Sequence, residues 1–265
     1  MRVRTFVIGI KGLVLKMNEN KFDGLGETYA KFRPAYAPGF LDYLFSDFGL
    51  DKNSVIADVG AGTGILTKQL LDRGCKVIAV EPNSDMRAEA EKNLKEFAGF
   101  VSVNGTSEST GLNDCVVDCV TAAQAFHWFD AVRFKMECQR ILKPGGMVVL
   151  VWNSRDVASQ IMRDNAAVYV KFCPNFKGFA GGTHNNDAGF EDFFHAGYEK
   201  KTFQNDLVFD EEGFVGRSLS ASYSLQEGDE GFDEYIAELK NFFQKCAVNG
   251  RMVMPNLTYS FAGKV

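Results

Sequence analysis

Three glycines at every second position, Gly60, Gly62 and Gly64, separate an apolar run ending in Asp58-Val59 from a helix-like segment, Ile65 to Arg73. The run Val55-Ile56-Ala57-Asp58-Val59 reads as a strand, so the whole is strand, tight glycine loop and helix N-terminus. Glycine is needed where a backbone takes positive φ or approaches a ligand with no Cβ in the way. A second strand, Lys76-Val77-Ile78-Ala79-Val80, ends in Glu81, 17 residues after Gly64. That is close to where a βαβ nucleotide site sets a carboxylate on ribose hydroxyls. The pattern is not the dinucleotide fingerprint G-x-G-x-x-G, whose third glycine would fall at Ile65.

The alternation continues downstream. Phe100 to Val103 reads as a third strand, followed by Asn104-Gly105-Thr106-Ser107-Glu108. Val116 to Thr121 reads as a fourth strand and runs into Ala122-Ala123-Gln124-Ala125-Phe126-His127-Trp128-Phe129-Asp130. A helix from about Ala131 to Ile141 stops at Leu142-Lys143-Pro144-Gly145-Gly146, and Met147 to Trp152 is a fifth strand. Strands alternating with helices imply a parallel sheet with right-handed crossovers. Beyond it, a helix from Ala158 to Phe172, a glycine- and asparagine-containing loop from Gly178 to Gly189, a strand over Tyr198 to Phe209, a helix over Asp229 to Ala247 and a last strand over Leu257 to Ala262 are expected.

D-x-G-x-G-x-G followed by a strand-terminal Glu resembles motifs I and II of class I S-adenosylmethionine (SAM) methyltransferases. The A-Q-A-F-H-W-F-D and L-K-P-G-G segments, with Tyr29-Ala30-Lys31-Phe32-Arg33-Pro34 upstream, are similar to those of the type 11 small-molecule methyltransferases, a group that includes trans-aconitate methyltransferases. The likeness is strong over residues 20 to 155 and weak elsewhere. It implies a Rossmann-like α/β fold: seven mostly parallel strands, the last antiparallel, with helical lid insertions near 17–48 and 156–195. Family members usually begin shortly before Tyr29. Met17 is therefore an expected start of the single domain over 17–265, with residues 1–16 an upstream extension or a short extra strand.

The resemblance also implies roles. SAM would be the cofactor, its ribose on Glu81, its adenine against Pro82 and Met86, and its adenine edge read by Thr106, Ser107 and Glu108. Ser107 and Glu108 could instead cap a local helix. Gly60, Ala61, Gly62 and Gly64 would pass the tail and ribose. Asp58 would approach the cofactor's ammonium or, alternatively, stabilise the loop. Main-chain carbonyls of Gln124 and Ala125 could meet the ammonium. Tyr29 and Arg33 come from the N-terminal segment, and Arg33 suits the cofactor carboxylate, an anionic substrate or plain solvent. His127 is the one histidine within a recognised motif, either a general base or a shaper of the pocket. Phe126 and Trp128 could face the substrate and the sulfonium.

Composition narrows the partners. The chain has 265 residues, 46% hydrophobic, and net charge −5, so the basic footprint of a nucleic-acid binder is absent. No stretch approaches the roughly 20 apolar residues of a membrane span, and residues 1–15 lack a signal peptide's h-region. The six scattered cysteines complete no zinc pattern and read as reduced thiols of a cytoplasmic protein, with no metal expected. Phe172, Phe176, Phe179, Phe190, Phe193 and Phe194 form either a lid over an apolar substrate or a satellite core. A small molecule is the expected acceptor, with a carboxylate as the family analogy. The alternatives are an NAD-type oxidoreductase and a SAM-binding protein without turnover. Oligomeric state is not legible.

Overall fold

The computed structural model describes residues 33–179, 189–221 and 223–265. Tyr29 and residues 1–16 lie outside them. The strands are β1 (Val55–Val59), β2 (Lys76–Val80), β3 (Phe100–Val103), β4 (Val117–Ala123), β5 (Leu142–Arg155), β6 (Tyr198–Gln204), β7 (Leu207–Phe209), β8 (Met252–Met254) and β9 (Asn256–Gly263). The helices are α1 (Pro38–Asp47), α2 (Ile65–Asp72), α3 (Ser84–Leu94), α4 (Ala131–Ile141), α5 (Gln160–Phe172), α6 (Phe190–Phe193), α7 (Glu211–Leu219) and α8 (Phe232–Cys246). A 3₁₀ turn covers Phe126–Trp128.

Seven strands form one sheet in the order β3-β2-β1-β4-β5-β9-β6. β1 to β5 run parallel, while β9 is antiparallel to both β5 and β6. The expected Rossmann-like sheet, last strand antiparallel, is the observed one. Its apolar strands alternate between two covered faces, as buried parallel strands must. Ile56, Val149 and Val151 enter the core under α1, α2 and α3, with Phe40, Leu44, Leu66, Leu70 and Leu94. Ala57, Val148, Leu150 and Trp152 point the other way, onto Phe134, Cys138 and Ile141 of α4 and Phe190 and Phe193 of α6. A third cluster lies off the sheet and joins Met162 and Tyr169 of α5, Phe214 of α7, Tyr235, Leu239 and Phe243 of α8 and Met252 and Met254 of β8.

Three expectations about elements need correction. The expected strand over Tyr198 to Phe209 is two strands in different sheets, because Asn205 turns the chain by bonding Asn256 O and Ala35 O through its N–H and side-chain amide. β7 then pairs with β8 (Val208 opposite Val253), and neither β8 nor α7 was expected. L-K-P-G-G does not precede β5. Leu142 already pairs with Val117, and the ladder resumes at Cys119–Met147, so the segment bulges out of a longer strand. The phenylalanine-rich segment divides: Phe172, Phe176 and Phe179 join the off-sheet cluster, while Phe190, Phe193 and Phe194 pack on the sheet. All six cysteines are free, and no helix among the described residues is long and apolar enough to cross a membrane.

Candidate active site

The C-terminal ends of the parallel strands open into a cavity of about 440 Å³. The crevice beyond the strand carboxyl ends is where open α/β sheets bind ligands. Its floor is the loop after β1. Gly60 N–H and Ala61 N–H both donate to Val80 O, at 2.8 and 3.2 Å, which folds the loop over the end of β2. Gly60 (φ +69°) has no room for a side chain: a Cβ would stand 2.7 Å from Ala125 Cβ and 3.1 Å from the Phe129 ring. Gly62 (φ +57°) is different, since a Cβ there would meet nothing within 4 Å. Gly60 therefore lets the β4 turn approach, and Gly62 keeps the cavity open. Gly64 is the N-cap of α2 and does not line the cavity; a Cβ on it would collide with Leu94 of α3 at 2.6 Å.

Glu81 stands at the cavity wall, 9% exposed. Its Oε2 accepts Gly62 N–H at 2.8 Å and its Oε1 accepts Asn83 N–H at 2.9 Å. A carboxylate offers about four acceptor positions, so each oxygen keeps capacity for a further donor. Burial raises the Glu81 pKa, and the two amides and Arg87 offset that only in part. Asn83 caps α3 by accepting Met86 N–H at 3.0 Å, which seats the Met86 side chain beside Pro82 in the wall. Thr106, Ser107 and Glu108 complete this end. No helix follows Ser107. Its hydroxyl donates to Glu108, and Glu108 accepts the N–H of Asp130, the N-cap of α4.

Asp58 lies under the loop rather than in the cavity. It is wholly buried, and Thr67 Oγ1 and Thr121 Oγ1 donate to its two oxygens at 2.6 and 2.9 Å. These bonds tie α2 and β4 to β1, and burial raises the Asp58 pKa against them. The side chain thus braces α2 and β4 against β1 through two hydroxyls.

The turn after β4 sorts its side chains. Gln124 sits at φ +55°, a conformation that costs a non-glycine residue energy. Its N–H donates to Val151 O and its Nε2 to Asn153 O at 2.8 Å, which offsets that cost. Three residues per 3₁₀ turn send consecutive side chains in different directions. His127 and Trp128 reach the cavity, their ring centroids 4.7 Å apart. Phe126 turns inward against Phe129, Phe134, Phe190 and Phe193, so it belongs to the core and not to the substrate wall expected for it. Phe129 takes a wall position instead.

At the far end of the cavity, Arg33 was expected and the other residues were not. This end is lined by Asn153, Ser154 and Arg155 at the end of β5, Asn256 at the start of β9, Arg217 of α7, Tyr223, and Arg33 with Pro34 and Tyr36. Asn153 places the N-terminal segment: its Nδ2 donates to Pro34 O and Ala35 O, and its Oδ1 accepts Thr258 Oγ1 at 2.6 Å. Ala37 N–H donates to the same Thr258 hydroxyl, and Gln69 brackets Tyr36 through both backbone groups. Among the described residues, no group of three His, Cys, Asp or Glu side chains is placed to hold a metal ion.

Residues 57–150 match the methyltransferase domain family. That span contains the glycine loop, Glu81 and the His127 turn. An uncharacterised methyltransferase of Mycobacterium tuberculosis is 41% identical over 129 residues, 49% of this chain and 50% of that protein. An uncharacterised methyltransferase-like protein of Schizosaccharomyces pombe is 36% identical over 129 residues, 48% and 49% of the two chains. The matched region thus spans about half the length of these curated relatives. The solved structure of a candidate type II methyltransferase from Anaeromyxobacter dehalogenans superposes with TM-score 0.63 at 19% identity, covering 88% of this chain and 98% of that one. That likeness extends the shared fold well beyond the matched domain.

Proposed function

We propose that this protein is a SAM-dependent methyltransferase acting on a small molecule, with a carboxylate oxygen as the acceptor. The observation that carries the reading is Glu81: a buried carboxylate at the end of β2, anchored by backbone amides, with acceptor capacity turned to the cavity. That chemistry fits the two ribose hydroxyls of SAM. Pro82 and Met86 offer an apolar face to the adenine, and the open side of Gly62 leaves room for the ribose and tail. A dinucleotide would need the third glycine at position 65, where Ile65 stands.

When bound, SAM supplies an electrophilic methyl group: its carbon–sulfur bond breaks as the acceptor oxygen bonds the carbon, and the electron pair neutralises the sulfonium. The chain's own contribution is to hold the acceptor in line and exclude water. His127, Trp128 and Phe129 make the wall between the two ends of the cavity. A carboxylate acceptor becomes an ester, and no proton has to be removed. A base is then unnecessary, which favours the shaping role for His127. A hydroxyl or amine acceptor would call on it as a base.

The test is transfer of a labelled methyl group from SAM to a panel of small carboxylates, read as a base-labile ester. Turnover is expected in the wild type, and His127→Gln should retain most of it. SAM binding with no transfer to any acceptor would make the chain a binding protein. Loss of turnover in His127→Gln with SAM affinity intact would overturn the purely shaping role, and a base role would show as a loss confined to hydroxyl or amine acceptors.

A further inference from the structure

The cavity is electrically divided. Among the described residues, the acids that line it, Glu81 and Glu108, follow β2 and β3. The arginines that line it lie elsewhere: Arg155 ends β5, Arg217 is on α7, and Arg33 is on the segment fastened by Asn153. In the sheet order β5 is three strands from β2, roughly 14 Å at the usual spacing. Burial, with the nearby charges of Arg155 and Arg33 adding to it, moves the Arg217 pKa down to about 10. At neutral pH it is still a cation.

Two uncharged groups join them, both offering protons. Asn256 is 4% exposed, sits opposite Arg155 in the β5–β9 register, and its Nδ2 has no hydrogen-bond partner among the described residues. The Tyr223 hydroxyl is buried too, with no hydrogen-bond partner among the described residues. Burial pushes its pKa up to about 12, so it remains protonated. Its ring is held edge-on by Tyr169 and Phe176, and the Arg155 guanidinium lies 4.6 Å over Phe179. A buried amide donor and a buried hydroxyl left without acceptors each cost stability. Beside converging guanidiniums, they describe a site that waits for an acceptor-rich anion.

We propose that Arg155, Arg217, Tyr223 and Asn256 form an anion subsite that anchors a second, non-reacting anionic group of the methyl acceptor, a carboxylate or a phosphate. The inference rests on the methyltransferase reading and adds the residues that select the acceptor. The group held there is a spectator for an energetic reason. A reacting carboxylate loses its charge as the new bond forms, so guanidiniums gripping it would stabilise the ground state more than the transition state and slow the step. Held on a spectator group, the same grip is unchanged along the reaction and serves orientation. The acceptor is accordingly at least dianionic if a carboxylate is methylated.

Calorimetry on the full chain separates the possibilities. Succinate, propane-1,2,3-tricarboxylate, inorganic phosphate, glycerol phosphate and the neutral succinamide are titrated with S-adenosylhomocysteine present and absent. At least one anion class should bind the wild type, and tenfold or more weaker in Arg217→Gln. Tyr223→Phe, which removes one hydroxyl, should weaken it about threefold, and succinamide should not bind. SAM affinity should stay within twofold in both variants, which also reports that they are folded. Binding by the carboxylates alone or the phosphates alone would name the anchored group. No anion binding, binding unchanged in both variants, or equal binding of succinamide would overturn the subsite. A parallel fall in SAM affinity in Tyr223→Phe and Arg217→Gln would overturn it too, by assigning the cluster to the cofactor's own carboxylate. Anion binding that depends on Arg217 while SAM fails to bind the wild type would leave the subsite standing and reject the methyltransferase reading.

Discussion

Glu81 is held ready to accept, and that readiness has a pH signature. Burial raises its folded pKa above the ordinary glutamate value. The sign follows from linkage: the folded state binds this proton more tightly, so Glu81 favours the fold at low pH. Its contribution turns into a cost as pH rises from the unfolded pKa through the raised folded one. Ribose hydroxyls donate more strongly to the charged carboxylate than to the neutral acid, so bound SAM should pull that pKa back down. Between the two values, SAM binding releases a proton and its affinity climbs with pH; above the raised value it is flat. Glu81→Ala should remove the slope and weaken binding by about 1.5–3 kcal/mol, the worth of hydrogen bonds to a charged group. Calorimetry in buffers of different ionisation enthalpy measures both quantities. Equal proton release in wild type and variant would take Glu81 out of the cofactor site.

At the scale of elements, the glycine loop separates folding from binding. Gly60→Ala drives a Cβ to 2.7 Å from Ala125, while Gly62→Ala adds a methyl group to open space. Both pay for positive φ, roughly 1–2 kcal/mol; only Gly60→Ala adds overpacking, about 1–3 kcal/mol more. Urea denaturation should therefore rank Gly60→Ala as the less stable variant, and Gly62→Ala should lose SAM affinity out of proportion to its stability. The reverse order would mean that the β4 turn moves aside freely. Much of this was legible in the sequence because it is local. β2, β3 and α4 run over the residues expected of them, since each is an uninterrupted periodic segment with its stop signals beside it. The loop, Glu81, Thr106 and the His127 turn are likewise short motifs at strand ends. Phe126 was misplaced because a 3₁₀ turn obeys neither the helical nor the strand period. Arg155, Arg217, Tyr223 and Asn256 carry no mutual spacing; they meet only because β9 returns antiparallel beside β5 and α7, packed on α8 and β7, brings Arg217 to the same cavity. Asn153 was equally silent, a strand-end asparagine that reaches Pro34, Ala35 and Thr258, each more than 100 residues away in sequence.

The whole molecule carries net charge −5, yet its cavity presents guanidiniums at one end and carboxylates at the other. A uniformly acidic surface would repel an anionic acceptor at long range; the basic end acts over a few ångströms, inside a Debye length of about 8 Å at physiological salt. On the proposed reading, recognition of the acceptor is left to contact, and recognition of the cofactor to the acidic end, three strands away. That separation makes cofactor binding measurable by itself. A ligand that binds only the folded state stabilises it by about 2.7 kcal/mol at 100 times its dissociation constant. For a chain of this size that corresponds to a rise in melting temperature of roughly 5–10 °C. SAM, with no acceptor present, should produce a shift of that order, and S-adenosylhomocysteine a similar one, since the Glu81 end meets the same ribose and adenine. NADH at the same concentration should produce none, because Ile65 stands where a pyrophosphate loop needs glycine. A melting shift with NADH and none with SAM would transfer the cavity to a dinucleotide, and with it the purpose of every residue along its wall.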